Sequence, residues 1–233
     1  MPGLVNILWL LCTLLEVVVV VCAVAKGTFR RYLILNLYMA ASVLVSIGRY
    51  RVLSHYGYSS SEYLYFYYYS DALLTIFLYF ALTSLYAHVF SDLSAHRLVR
   101  LGAVLLLAGT ALFSYGVVQQ SNVSAKLITH FVLELSQNLY FVGLVLTYVL
   151  WAAIMKLRES RTQLVQLVLS LGVYFSLFAA TYALTNLYPA KRQIFLSFVQ
   201  LFGFVLPIAW AYAFWRLSDT DRLAPSRLAL VPR

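Results

Sequence analysis

Apolar residues along this chain come in continuous runs about twenty residues long, separated by short polar stretches. The runs cover roughly 4–25, 32–53, 63–90, 101–118, 127–155, 164–187 and 194–215, and the stretches between them read KGTFRR, SHYGYSSSE, SDLSAHRLVR, QQSNVSAK, KLRESRTQ and YPAKRQ. Crossing ~30 Å of hydrocarbon at 1.5 Å per residue takes about 20 mostly apolar residues in a helix. Strands of a membrane barrel would instead alternate over segments about ten residues long. The pattern therefore predicts an all-α integral membrane protein, a single seven-transmembrane-helix bundle over residues 1–218. Residues 219–229 are expected to form a short polar tail. The ending Leu230-Val231-Pro232-Arg233 resembles the scar of a thrombin-cleavable tag and is set aside. With no output domain in the tail, a signalling role needs a separate cytoplasmic or membrane partner.

Composition agrees with the pattern. The 233 residues are 63% apolar and only 11% charged, with a mean hydropathy of +0.83. A soluble domain runs near 45–50% apolar and about 25% charged, so a water-soluble globule is excluded, and disorder with it. Cys12 and Cys22 lie ten residues apart on one predicted helix, about 15 Å along its axis, too far to bridge.

Charge adds an orientation. Lys26, Arg30, Arg31, Arg97, Arg100, Lys156, Arg158, Arg161, Arg216, Arg222 and Arg227 fall at one set of span ends. Arg49, Arg51, Lys126, Lys191 and Arg192 fall at the other. The richer side is expected in the cytoplasm, which puts the N-terminus outside and the C-terminus inside a cell membrane. The net charge of +9 is then a topology signal. Nucleic acid is not a partner, because there is no soluble basic face to bind it. The first span has no charged leading region and no A-x-A-like site, so it is expected to be retained as a helix.

Ionisable groups inside a membrane are costly, and each is a functional candidate by default. Glu16 lies near the middle of the first span, on a face with Trp9, Cys12 and Thr13. It is expected to face the bundle, with a carbonyl or Asn36 of the next helix as its partner. His130, Glu134 and Asn138 recur at i, i+4 and i+8 on the fifth span, with Gln137 beside them. Tyr67, Tyr68, Asp71, Thr75 and Tyr79 make a similar stripe on the third, and Ser42, Ser46 and Arg49 on the second. With the predicted orientation Arg49, Arg51, Asp71, His130, Glu134, Gln137, Asn138, Asn186 and Gln200 all fall in the outer half. Two readings fit such a cluster. One is a buried network that fixes helix register, with Arg49 paired to Asp71 or Glu134. The other is an outward-facing polar cavity for a small ligand or ion, lined by Arg49, Tyr67, Tyr68, Asp71, His130, Glu134, Gln137, Asn138 and Gln200.

Known signatures narrow the field. Retinal needs a lysine inside the last span, and the four lysines, 26, 126, 156 and 191, all lie in loops or at span ends. The receptor patterns D-R-Y and N-P-x-x-Y are absent, and so are the repeated helix prolines of seven-helix sugar carriers; Pro207 alone is membrane-embedded. No H-E-x-x-H, G-x-S-x-G or spaced Cys/His set is present. His55 and His130 on one side, and His88 and His96 on the other, make a poor pair for haem. No cofactor and no metal are expected. The triplet Asn122-Val123-Ser124 fits a glycosylation sequon in an outer loop. These observations favour a non-enzymatic receptor or sensor that takes a small ligand in its outer half. An ion- or proton-coupled transporter using Glu16, Asp71 and Glu134, or a structural subunit of a membrane complex, are the alternatives.

Overall fold

The computed structural model describes residues 2–57, 60–90, 96–120, 127–157 and 161–217; the side chains of 2–6, 96–100, 120, 127, 192–193, 196–197 and 200 are outside that description. The sequon and the polar tail after residue 217 also lie outside it. Eight α-helices and one short 3-10 turn make up the described chain, and no strand occurs among these residues. The helices are α1 (Pro2–Ala25), α2 (Leu33–Tyr56), α3 (Ser61–Val89), α4 (His96–Gln120), α5 (Leu127–Leu157), α6 (Thr162–Leu187), α7 (Arg192–Phe202) and α8 (Val205–Arg216). The first six are long and apolar enough to cross a bilayer, which makes this a multi-pass membrane protein.

Local chemistry accounts for the helix ends. Gly27 adopts φ +69°. The Gly27 amide donates to the Val24 carbonyl at 3.1 Å and the Thr28 amide to that of Ala23 at 3.0 Å. This is a Schellman cap, and a left-handed residue is what ends α1 there. At the start of α3, Ser60 Oγ accepts from the Tyr63 amide at 3.1 Å, with Glu62 in the first turn.

The last apolar run departs from the sequence expectation of one continuous span over 194–215. It is broken between α7 and α8 at Gly203 and Phe204. Pro207 is the cause: it has no N–H for the carbonyl four residues back, and that carbonyl belongs to Gly203. Around the break the Phe204 amide turns to Leu201 at 3.2 Å, a tightened 3-10 bond, before Ile208 resumes the α pattern on Phe204 at 3.1 Å.

Packing arranges six positions in a closed ring. α1 packs on α2, α2 on α3, α3 on α5, α5 on α6, α6 on α7 and α8, and α8 returns to α1. α4 stands outside the ring, chiefly against α5. Its contact is a small cluster of Tyr79, Leu135 and Leu139 with Ala103, Leu107 and Ala111. α5 and α6 approach closely at Gly143, where a Cβ would run into the Phe175 ring. Small residues at such crossings let membrane helices pack backbone to backbone.

The ring is filled unevenly. Towards the end where α1 stops and α2 begins, Val19, Leu35, Leu82, Leu85, Leu164, Phe175, Trp210 and Phe214 interlock, each at most 1% exposed. Trp210 Nε1 donates there to Ser170 Oγ at 2.8 Å, and Gln163 Nε2 to the Ala213 carbonyl at 3.1 Å, while Gln163 Oε1 and Asn36 Oδ1 have no partner among the described residues. The other half of the ring holds a cavity.

Candidate functional site

The cavity has a volume of about 260 Å³ and is walled by every position of the ring, while none of the described α4 side chains borders it. Each wall is one helical face. α1 contributes Trp9, Cys12 and Glu16; α2 contributes Tyr38, Ser42, Ser46, Arg49 and Leu53; α3 contributes Tyr63, Tyr67, Asp71, Leu74 and Leu78. These are the three-to-four spacings that align side chains on a 3.6-residue period. Tyr140 of α5, Tyr174 and Phe178 of α6, Val199 of α7, Gly203 at the break, and Leu206 and Pro207 of α8 complete the lining together with Leu8 of α1 and Met39 and Tyr50 of α2. From Tyr63 to Leu78 the α3 wall runs fifteen residues, about 22 Å of depth at the helical rise.

Three charged groups face this space, one on each of the first three helices. Glu16 is buried, with 7% exposure. Its Oε1 accepts from Ser42 Oγ at 2.6 Å, and its Oε2 has no partner among the described residues. Asp71 Oδ2 accepts from Ser136 Oγ of α5 at 2.9 Å. Thr75 Oγ1 donates to the Asp71 main-chain carbonyl at 2.8 Å and lies 3.2 Å from Ser136 Oγ, so the hydroxyl that holds the carboxyl from α5 is itself in contact with α3. Arg49 donates from Nε to Ser70 Oγ at 2.9 Å and from Nη2 to the Tyr67 carbonyl at 3.3 Å, and its guanidinium lies 4.3 Å from the Tyr67 ring centroid. Its partners are thus a hydroxyl, a carbonyl and a π-face.

Aromatic rings form much of the remaining surface. Tyr140 stacks on Phe178 at 4.9 Å, Phe178 meets Tyr174 at 4.4 Å, and Tyr38 sets its edge against Trp210 at 6.0 Å. Nearer the helix ends Trp9 stacks on Tyr50 at 5.3 Å. Among the described residues no group of three or more His, Cys, Asp or Glu side chains is placed to hold a metal ion.

The polar residues singled out in the sequence divide between the cavity and other surfaces. Glu16, Arg49, Tyr67 and Asp71 border the cavity together, with Ser42 and Ser46 of the α2 stripe. Glu16 takes Ser42, while Asn36 gives its amide to the Tyr32 and Phe29 carbonyls at 3.0 and 3.3 Å. The expected Arg49 ion pair with Asp71 or Glu134 is not formed among the described residues. The α5 stripe does not reach the cavity: His130 is exposed, Glu134 and Gln137 are half-buried away from the lining, and Asn138 donates to Ser114 Oγ of α4 at 2.9 Å. Tyr68 is half-buried beside Tyr67 but is not among the lining residues, and the side chain of Gln200 lies outside the described residues. The reason for the α5 result is rotational. Ser136 and Tyr140 occupy the face turned to Asp71 and α6, so residues one or two positions away look elsewhere.

Ser136, Tyr140, Tyr174 and Phe178 are the site residues the sequence reading misses. Tyr38 could have been found, because it lies four residues before Ser42 on the same α2 face. The tyrosines of α5 and α6 carried only the weak signal that a buried phenol needs a polar neighbour.

Comparison with known proteins finds no matching family model, no matching curated protein and no matching solved structure.

Proposed function

We infer that this protein is a seven-span membrane receptor or sensor that binds a small ligand in the cavity between α1, α2, α3, α5, α6 and the α7–α8 pair, and that it is not an enzyme. The observation that carries the reading is the cavity itself: charged side chains from three helices converge on one space of about 260 Å³ instead of being satisfied within their own helices. That volume is just under the usual 300–1,000 Å³ of small-molecule sites, so the ligand is small. A closed, tightly packed half beneath the cavity favours recognition over passage.

The seventh crossing is made by α7 and α8 in series. Residues 192–216 amount to 25 positions, about 37 Å of helix, enough for ~30 Å of hydrocarbon even with a bend. We assign the cavity half to the outer leaflet and the packed half to the cytoplasmic one. The gathering of Lys26, Arg30, Arg31, Lys156, Arg161 and Arg216 at the packed end supports this orientation, and Lys26 there sits 5.0 Å over the Trp215 ring. Single cysteines at Ser60 and Ser160 test it. An impermeant thiol reagent on intact cells should label position 60 and spare 160, and the reverse pattern would invert the topology.

One observation favours a second reading, a transporter. The helix break borders the cavity, and discontinuous helices commonly build the substrate sites of carriers. Ligand-dependent stabilisation of the purified protein without flux in proteoliposomes supports the receptor; saturable flux of the same compound supports the carrier.

A further inference from the structure

We propose that the cavity is built for a small organic cation, a protonated or quaternary amine, held between the Glu16 and Asp71 carboxylates and the rings of Tyr38, Tyr140, Tyr174 and Phe178. The inference rests on the cavity reading above and names the chemistry of its occupant.

Charge balance is the first argument. Two carboxylates and one guanidinium line the space. The guanidinium is engaged by Ser70, by the Tyr67 carbonyl and by the Tyr67 ring, so it is committed to the wall. Glu16 is the second argument. Its residue is more than nine-tenths buried, yet Oε2 has no hydrogen-bond partner among the described residues; the two other such oxygens, on Asn36 and Gln163, belong to neutral amides. A carboxylate oxygen removed from water without a partner is costly, and a ligand that donates to it or brings a positive charge relieves that cost. An anionic ligand would instead meet two acidic side chains and one guanidinium already bonded to the wall. The walls are the third argument. Aromatic faces attract cations through their quadrupoles, and bulky alkylammonium groups, which shed water easily, gain most from them. An inorganic divalent ion would need a shell of oxygen or nitrogen ligands, and among the described residues no cluster of three or more His, Cys, Asp or Glu supplies one.

The decisive comparison uses compounds of one shape and different charge. The full-length protein in detergent or nanodiscs is titrated with choline and with its uncharged isostere 3,3-dimethylbutan-1-ol, and melting temperature and heat of binding are recorded. Methylammonium and tetramethylammonium extend the cationic series; acetate and glycerol are the anionic and neutral comparisons. At least one ammonium compound should raise the melting temperature, and choline should bind at least tenfold tighter than its isostere. Glu16→Gln, which keeps an acceptor for Ser42 and removes the charge, should weaken that binding at least tenfold with the uncomplexed melting temperature nearly unchanged. Asp71→Asn should act in the same direction. Equal binding of choline and the isostere, or stabilisation by acetate or glycerol alone, overturns the cation and leaves the cavity reading standing. No response to any of these compounds overturns both.

Discussion

The two halves of this helix ring set polar side chains in different surroundings. In the packed half they sit in a filled core: Asn36 gives its amide to the Tyr32 and Phe29 carbonyls, Gln163 to a carbonyl of α8, and the Trp210 indole to Ser170, while Asn36 Oδ1 and Gln163 Oε1 have no partner among the described residues. In the cavity half, Glu16, Arg49 and Asp71 come from three helices and face a common space, and Glu16 Oε2 has no partner among the described residues. Lipid satisfies no polar group, so every intramembrane polar residue must find protein, water or ligand. Local satisfaction holds helices in register; convergence on a shared space creates a surface that can recognise something. The difference between architecture and recognition is therefore readable from whether polar groups face a filled core or a shared space.

Four substitutions set one half against the other. Trp210→Ala should be the most damaging. The indole is fully buried between α2 and α6, and its loss should cost about 3–5 kcal/mol, read as a lower denaturation midpoint. A loss below about 1 kcal/mol would mean that the packed half is looser than its burial indicates. Gly143→Ala comes next, because the added methyl runs into the Phe175 ring; overpacking of this kind costs about 1–3 kcal/mol. Ser46→Leu is the matching enlargement in the cavity half, where Ser46 lines open space. It should leave stability unchanged or raise it by up to about 1 kcal/mol while abolishing ligand-induced stabilisation. Destabilisation as large as that of Gly143→Ala would erase the contrast between the halves. Glu16→Gln should be mildest, within about 0.5 kcal/mol without added amine, because an amide oxygen can still accept from Ser42 Oγ. A large fall in melting temperature would reveal a cation already paired with the carboxylate.

Much of this contrast was legible from residue spacing alone. Glu16, Ser42, Ser46, Arg49, Tyr67 and Asp71 all sit on the cavity-facing stripes of the first three helices, and period and polarity suffice to find such stripes. The α5 stripe of His130, Glu134 and Asn138 was equally periodic, yet it points away from the cavity, with Asn138 on α4. Periodicity locates a face but not its rotation about the helix axis relative to neighbours, and that rotation is set by packing at sites such as Gly143 against Phe175. The break after Phe202 was hidden for a related reason. Hydropathy is blind to backbone hydrogen bonds, so the apolar run continued through a point where Pro207 withholds the donor that the Gly203 carbonyl needs. Peripheral placement of α4 had no sequence signature, because a lipid-facing helix and a ring helix are both apolar.

Closure of the ring through α1 and α8 also fixes an order of events during synthesis. The contact joins two helices far apart in the chain, so the growing chain must hold α1 in the membrane until residues 205–216 emerge and insert. Until then the α8 side of α1 has lipid or the insertion machinery for a neighbour, and Glu16 has no finished site around it. The cavity is thus complete only once α8 has inserted, and quality-control factors that survey unassembled membrane helices would find in that midspan acid a marker of the unfinished chain.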